Sequence, residues 1–327
     1  MIKIYSGDRR QNREKLLKDI PTKVQSGENI TTITFSHHKG GTGKTTSCLN
    51  IAGFCVLAGK KVLVVDCDPQ ANATTGLGIN PDSVQKNMYD VFMSRIDGFP
   101  KVGLSDIIIQ TKSGIDLAPA SLDLVGAEPY LYGIESRAEV LRDALLPLKE
   151  KYDLILIDTP PSMGQFVVNG LFAADRVIVT LDSGSFALNG IGPLFTIFED
   201  MKEDLKKNSR VDMAIITRWG EGGDRQTPEA PPQEKEDLIG WLKSLLSRPH
   251  VPTDEEIKAQ EEREREHERL SCMLEEIQKK FSEVFTIPYQ PEIYEAQKSG
   301  MPISHTAPDC SAGQTYKKIA EEVMGWS

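Results

Sequence analysis

The ten residues HHKGGTGKTT, numbers 37–46, decide how the rest of the chain is read. Gly43, Lys44 and Thr45 complete the end of the pattern G-x-x-x-x-G-K-[ST], whose backbone amides hold phosphate oxygens. The first glycine of that pattern falls at position 38, where a histidine stands. Gly40, Gly41 and Gly43 still let the backbone curl until successive N–H groups converge on an anion. A helix starting just after them adds the positive end of its dipole. In such a loop Lys44 reaches the terminal phosphates and the Thr45 hydroxyl takes a Mg2+ ion. Thr42 and Thr46 lie in the same run and are candidate nucleotide contacts. Lys39 precedes the glycines, at the rim. Its ammonium either stays solvated or reaches a phosphate, and its side of the loop favours a phosphate held by a facing subunit.

The flanks supply the context such a loop requires. ITTITF (30–35) is rich in β-branched residues and reads as a strand. TTSCLNIAGFCVLAG (45–59) has helical length and ends at a glycine, and KKVLVVD (60–66) reads as a second strand. Further on, YDLILID (152–158), DRVIVTL (175–181) and VDMAIIT (211–217) are continuous apolar runs. Such runs suit parallel strands covered on both faces. Helical patterns at 137–150, 164–174, 186–207 and 312–325 alternate with them. The expected fold is α/β, a doubly wound and mostly parallel sheet with helices on both faces, and ligand at the carboxyl ends of the strands.

Residues 1–30 read as a polar extension, and 219–282 as a helical charged insertion, within a single domain spanning 1–327. DEEIKAQEEREREHERL begins as a charged helix, and Leu270, Met273, Leu274, Ile277 and Phe281 follow at helical spacing. A solvated face is the plain reading of its charges, and a partner-binding hairpin the alternative.

Charged residues make up 26% of the 327 residues, and the net charge of −10 excludes a surface coated in positive charge. It leaves room for a local basic patch. The five cysteines form no C-x-x-C pair and no leader is evident, so reduced thiols and a cytoplasmic location are expected. No apolar run approaches the roughly 20 residues of a membrane span.

KGGTGKTT resembles the deviant Walker A motif of the ParA/MinD family of dimerising ATPases. VVDCDPQANATTGLG (64–78) is similar to the ParA switch I segment, and LILIDTPPS (154–162) to its Walker B strand and switch II. IPYQPEIYEAQKSGMPI (287–303) resembles the family's late nucleotide-base segment. The four motifs occur in the family's order, and the resemblance spans about 30–218 and 284–325.

The resemblance implies a P-loop NTPase that holds ATP with Mg2+ and sandwiches two ATPs between two subunits. Lys39 becomes the signature lysine, reaching the ATP of the opposite subunit and offsetting transition-state charge as an arginine finger does. Asp68 would position the attacking water, Asp158 would hold the Mg2+ shell through a water, and Asp66 would support the loop. Thr217, Arg218, Pro288, Tyr289 and Gln290 would frame the base.

The ParA branch further implies nonspecific DNA binding by the ATP dimer, partition of DNA or positioning of cargo, and a ParB-like or cargo-adaptor protein that stimulates hydrolysis. Candidate DNA contacts are Lys206, Lys207, Arg210, Arg218, Arg225, Lys298, Lys317 and Lys318. A MinD-like membrane switch is one alternative, although the acid-containing ending YKKIAEEVMGWS lacks a basic amphipathic character. A metal-insertion or small-molecule P-loop enzyme is another.

Overall fold

Strand β1 (Thr31–Ser36) lies at the centre of the sheet, with every residue buried. The structure, a computed structural model, describes residues 31–37, 39–162, 164–183, 210–219 and 254–326. The extension at 1–30, His38, the helix expected at 186–207, Lys206, Lys207, Arg225 and the 220–253 part of the insertion lie outside the described residues.

After β1 come helix α1 (Lys44–Leu57), β2 (Val62–Asp66), α2 (Asn72–Gly76) and α3 (Met88–Met93). Then follow β3 (Ile109–Gln110), β4 (Asp116–Ala118), α4 (Glu128–Leu131), α5 (Val140–Leu145) and β5 (Leu154–Asp158). The described chain continues with α6 (Gln165–Ala173), β6 (Arg176–Asp182), β7 (Arg210–Trp219), α7 (Asp254–Gln278) and β8 (Glu283–Pro288). It closes with α8 (Pro291–Lys298), α9 (Ile303–Thr306) and α10 (Ser311–Met324).

The strands form one eight-stranded sheet in the order β3-β4-β2-β5-β1-β6-β7-β8. All pairings are parallel except β3 with β4 at the edge. The expected doubly wound, mostly parallel sheet is therefore present. The chain moves from β1 to β2 on one side and later returns to place β6 on the other. That reversal opens a crevice at the carboxyl ends of the central strands.

Side chains alternate across the sheet. Ile33, Phe35, Val64 and Leu156 face α1 and α10, whereas Leu63, Val65, Ile155 and Ile157 face Phe92 of α3 and Phe166 of α6. This alternation explains the continuous apolar runs, since both pleats are covered. In the described part of the charged insertion, Leu270, Met273 and Ile277 of α7, with Phe281 beyond, pack on Val179 and Leu181 of β6 and Ala214 and Ile216 of β7. Its apolar stripe extends the cover of one face, while Glu261, Glu264, Arg265 and Glu268 are exposed.

Helix α1 ends where the sequence places a stop. Gly59 adopts φ 84°, and the amides of Ala58, Gly59 and Lys60 bond back to Phe54, Val56 and Cys55. Only glycine takes that left-handed conformation without strain.

Candidate functional site

The loop between β1 and α1 curls as its glycines allow. Gly41 and Gly43 have φ of 76° and 79°. A Cβ on Gly43 would come 2.6 Å from the Thr217 side chain, so glycine is needed there for space as well as conformation. Thr217 is buried and donates its hydroxyl to the carbonyls of Thr42 (3.3 Å) and Leu181 (3.2 Å), which seats the loop on β7. Thr42 meets Thr180 hydroxyl to hydroxyl at 3.0 Å, and His37 Nδ1 accepts from the Lys39 amide at 3.1 Å.

The two lysines occupy different places. Lys44 lies inside the loop, 6% exposed, and its Nζ donates to the Lys39 carbonyl at 3.3 Å. Burial pulls its ammonium below the usual lysine value, against the pull of Asp158 and Asp68. Lys39 stands at the rim, with its side chain 41% exposed, and its Nζ forms an ion pair with Asp182 of the same chain. Asp182 ends β6. The next residue, Ser183, donates its hydroxyl to the Arg218 carbonyl at 2.9 Å, and its own carbonyl accepts from Arg269 of α7 at 3.1 Å. The insertion helix thus touches the strand end that holds Lys39.

Three aspartates gather at the ends of β2 and β5. Asp66 and Asp158 are register partners, and both are fully buried. Thr45 donates its hydroxyl to Asp158 Oδ2 at 2.6 Å, while Asp158 Oδ1 is buried with no hydrogen-bond partner. Burial, followed by the charge of Asp66, pushes the Asp158 carboxyl well above the usual range. An orphaned carboxylate oxygen beside a hydroxyl is the donor set a hydrated Mg2+ ion would satisfy, so these residues fit the metal. Among the described residues no group of three or more His, Cys, Asp or Glu side chains is arranged to hold a metal by itself. A P-loop ion does not need such a group, because it takes most of its oxygens from phosphates and water.

Asp66 does the work of a strut. It accepts from the Thr74 amide (2.8 Å), the Thr74 hydroxyl (2.7 Å) and the Asp68 amide (3.1 Å). Burial pushes its carboxyl up to about 6 despite these bonds. Asp68 is 4% exposed and accepts from the Gln70 amide at 2.9 Å. Its carboxyl is raised by burial, and the Gln70 bond and Lys44 oppose the shift.

A cavity of about 550 Å³ opens over the loop and is lined by Gly40 to Thr46, Asp68, Pro161 and residues of α2 and α8. The sequence-based candidates Gly40, Gly41, Thr42, Gly43, Lys44, Thr45, Thr46 and Asp68 therefore converge on one space. The expected base-framing residues sit to one side. Trp219 pairs with Pro288, and the Tyr289 amide donates to the Trp219 carbonyl at 3.3 Å, which brings 288–290 against Arg218. Arg218 adopts φ 56°, a strained value for a side-chain-bearing residue. Gln290 Oε1 is buried without a partner among the described residues. Of the DNA candidates, Lys298 lines the nucleotide cavity, Arg210 begins β7, and Lys317 and Lys318 are exposed on α10.

Sequence reasoning missed Asp182, Thr74, Tyr294 and Gln297. Asp182 carried a weak signal, an acidic residue closing an apolar strand on the carboxyl edge. Thr74, Tyr294 and Gln297 lie inside segments quoted for the family resemblance, but their contacts, Thr74 with Asp66 eight residues away and α8 with the phosphate loop, show only in the folded chain.

A sequence family described as an AAA domain matches residues 30–212. The chain is 31% identical over 292 residues to the chromosome-partitioning ATPase Soj of Thermus thermophilus, covering 89% of this chain and 94% of that protein. It is 36% identical over 221 residues to the chromosome partitioning protein ParA of Myxococcus xanthus, covering 67% of this chain and 74% of that one. Among solved structures, the septum site-determining protein MinD from Pyrococcus horikoshii, complexed with Mg-ADP, superposes with a TM-score of 0.60. That match has 21% identity and covers 90% of this chain and 95% of the other. Agreement in sequence over nearly the whole length, and in fold around the same loop, establishes that the chain belongs to the ParA/MinD family of P-loop ATPases.

Proposed function

We propose that this ATPase is a ParA-type positioning switch. As one functional unit over 1–327, it binds Mg·ATP, dimerises face to face, holds duplex DNA nonspecifically and lets go after hydrolysis. A ParB-like or cargo-adaptor protein stimulates that hydrolysis, in a cytoplasm where the DNA-bound form follows the nucleoid. The observation that carries the reading is the division of labour between two lysines in one loop. Lys44 is buried in the nest and committed to its own nucleotide. Lys39 is at the rim, half-exposed and ion-paired with Asp182.

The chain's own groups account for the chemistry. The amides of 40–46 and Lys44 bind and orient the phosphates. Asp68, fixed by the Gln70 amide and set in the cavity wall, orients water toward the terminal phosphate. Phosphoryl transfer needs chiefly such positioning and charge stabilisation. Thr45 and, through a water, Asp158 would hold Mg2+, which would supply charge neutralisation for the phosphates. Lys39 adds positive charge from the facing subunit once it leaves Asp182. Thr217, Arg218, Pro288, Tyr289 and Gln290 frame the base, and the partnerless Gln290 Oε1 offers an acceptor for an exocyclic amine.

The test uses Asp68→Ala to hold the ATP state and random-sequence duplex DNA in a salt titration. Binding with ATP that weakens steeply with salt, and none with ADP, is expected, because phosphate contacts release counterions. Absence of binding in both states removes DNA from the reading. Equal hydrolysis by wild type and Lys39→Ala removes the shared site.

A further inference from the structure

Helix α8 does more than flank the base. It runs along the wall of the nucleotide cavity and contributes Tyr294, Gln297 and Lys298 to the lining. Gln297 Nε2 donates to Thr46 Oγ1 at 2.8 Å. Thr46 follows directly after the metal-holding Thr45 and lines the same cavity. A threonine hydroxyl has one hydrogen to give. When its oxygen accepts from Gln297, that hydrogen remains for a ligand.

The surroundings keep this contact fixed. Asn50, one turn further along α1, donates to the Thr46 carbonyl (2.9 Å) and accepts from the Ile303 amide (2.7 Å). The turn after α8 is bolted to the end of the α2 segment by two glycines. Gly300 has φ 70°, and a Cβ on it would lie 2.6 Å from Gly78 Cα. A Cβ on Gly53 of α1 would collide with Ser304 at 2.3 Å and with Pro302 at 2.7 Å. The segment from α8 to α9 is therefore clamped both to the phosphate-loop helix and to the turn that follows α2, and Gln297 is its one amide directed at the phosphate loop's own hydroxyl.

We propose that Gln297 is a positioning residue for nucleotide binding: it occupies the Thr46 hydroxyl oxygen and so aims the hydroxyl hydrogen into the cavity, at a phosphate oxygen of the nucleotide. Its role is to select which way Thr46 donates. A carboxylate at 297 would reverse the arrangement, taking the Thr46 hydrogen for itself and placing negative charge beside the phosphates.

The experiment is a double-mutant cycle on ADP affinity, measured by titration with a fluorescent ADP, with thermal unfolding of each variant as a check on folding. ADP is chosen because its binding requires neither dimerisation nor DNA. If wild type binds no ADP, the ATPase assignment fails and not this inference. Gln297→Leu keeps an uncharged side chain of similar bulk and loses the donor. It is expected to weaken ADP by about three- to ten-fold, the size of one hydrogen bond. Gln297→Glu is expected to weaken it further. In a Thr46→Val background, Gln297→Leu should cost less than about two-fold, because nothing is left to orient. With ATP, Gln297→Leu should raise KM more than it lowers kcat. An unchanged ADP affinity in Gln297→Leu overturns the proposal. So does a loss of full size in the Thr46→Val background, which would mark Gln297 as a packing residue of α8.

Discussion

In the proposed dimer Lys39 would have two partners and could not hold both at once. In the single chain its ammonium rests on Asp182, whose side chain is 16% exposed. A facing subunit's phosphate would have to win it from that carboxylate. Ion pairs open to water on both sides are worth about 0.2–1 kcal/mol; this one is open on the lysine side only, so the competition is felt at about the top of that range. Asp182→Asn should shift the ATP-dependent monomer–dimer midpoint to a lower protein concentration by up to about five-fold. Sedimentation of the variant against wild type reads this directly, and a midpoint that moves the other way assigns Asp182 to the dimer itself. At this scale the sequence was half legible. Asp68 was legible only through the resemblance of its segment to the family's switch I, whereas Gly43, Lys44 and Thr45 announce themselves because a phosphate loop needs those residue types at fixed local spacing. Asp182 and Gln297 do not, because each meets the loop from a distant segment and no local rule connects them.

Among the elements, β1, α1, β2, β5, β6 and β7 were readable because strands covered on both faces write themselves as apolar runs. The pair β3 and β4 escaped notice: two and three residues are too few for a period, and their pairing is antiparallel at an edge. α7 was readable as an amphipathic helix, yet the sheet face it covers was not, since that depends on where β6 and β7 leave bare pleat. α9 brings a pH dependence. His305 is half-buried, and burial pulls its pKa below 6.5, while a hydrogen bond with the Ser113 backbone pulls the other way. Its Nδ1 shares a 2.9 Å contact with Ser304 Oγ. The folded state therefore binds fewer protons than the unfolded chain just below pH 6.5, and stability falls as pH drops through that window. A His305→Gln variant should lose this part of the acid sensitivity, as seen in thermal unfolding scans between pH 5 and 7.5. An identical pH profile would show that His305 titrates alike in both states.

For the molecule as a whole, the buried aspartates and Lys44 form a set of charges that the nucleotide-free state carries at a cost. Asp158 is raised by burial and by Asp66, and Lys44 is lowered by burial. A metal ion and phosphates bring the opposite charges to each. Binding to the folded state alone adds about 2.7 kcal/mol at a ligand concentration a hundred times Kd. Mg·ATP should therefore raise the melting temperature by several degrees, Mg·ADP somewhat less, and neither should move Lys44→Ala. A Lys44→Ala protein stabilised as fully as wild type would place the nucleotide elsewhere.

The strand order has one more consequence, for the birth of the protein. Of the described strands β1 is synthesised before the others, yet its neighbours in the sheet are β5 and β6, which begin at Leu154 and Arg176. Until β5 and β6 are made, a phosphate loop on β1 would lack both of its sheet neighbours, with only α1 and β2 available beside it. Only when the second half of the sheet emerges does β1 find its slot, and parallel pairing over such a span is slow. A truncated nascent chain ending before β5 should therefore be captured by holdase chaperones and bind no nucleotide. The loop that is easiest to recognise in the sequence is thus among the last parts of the protein to begin to work.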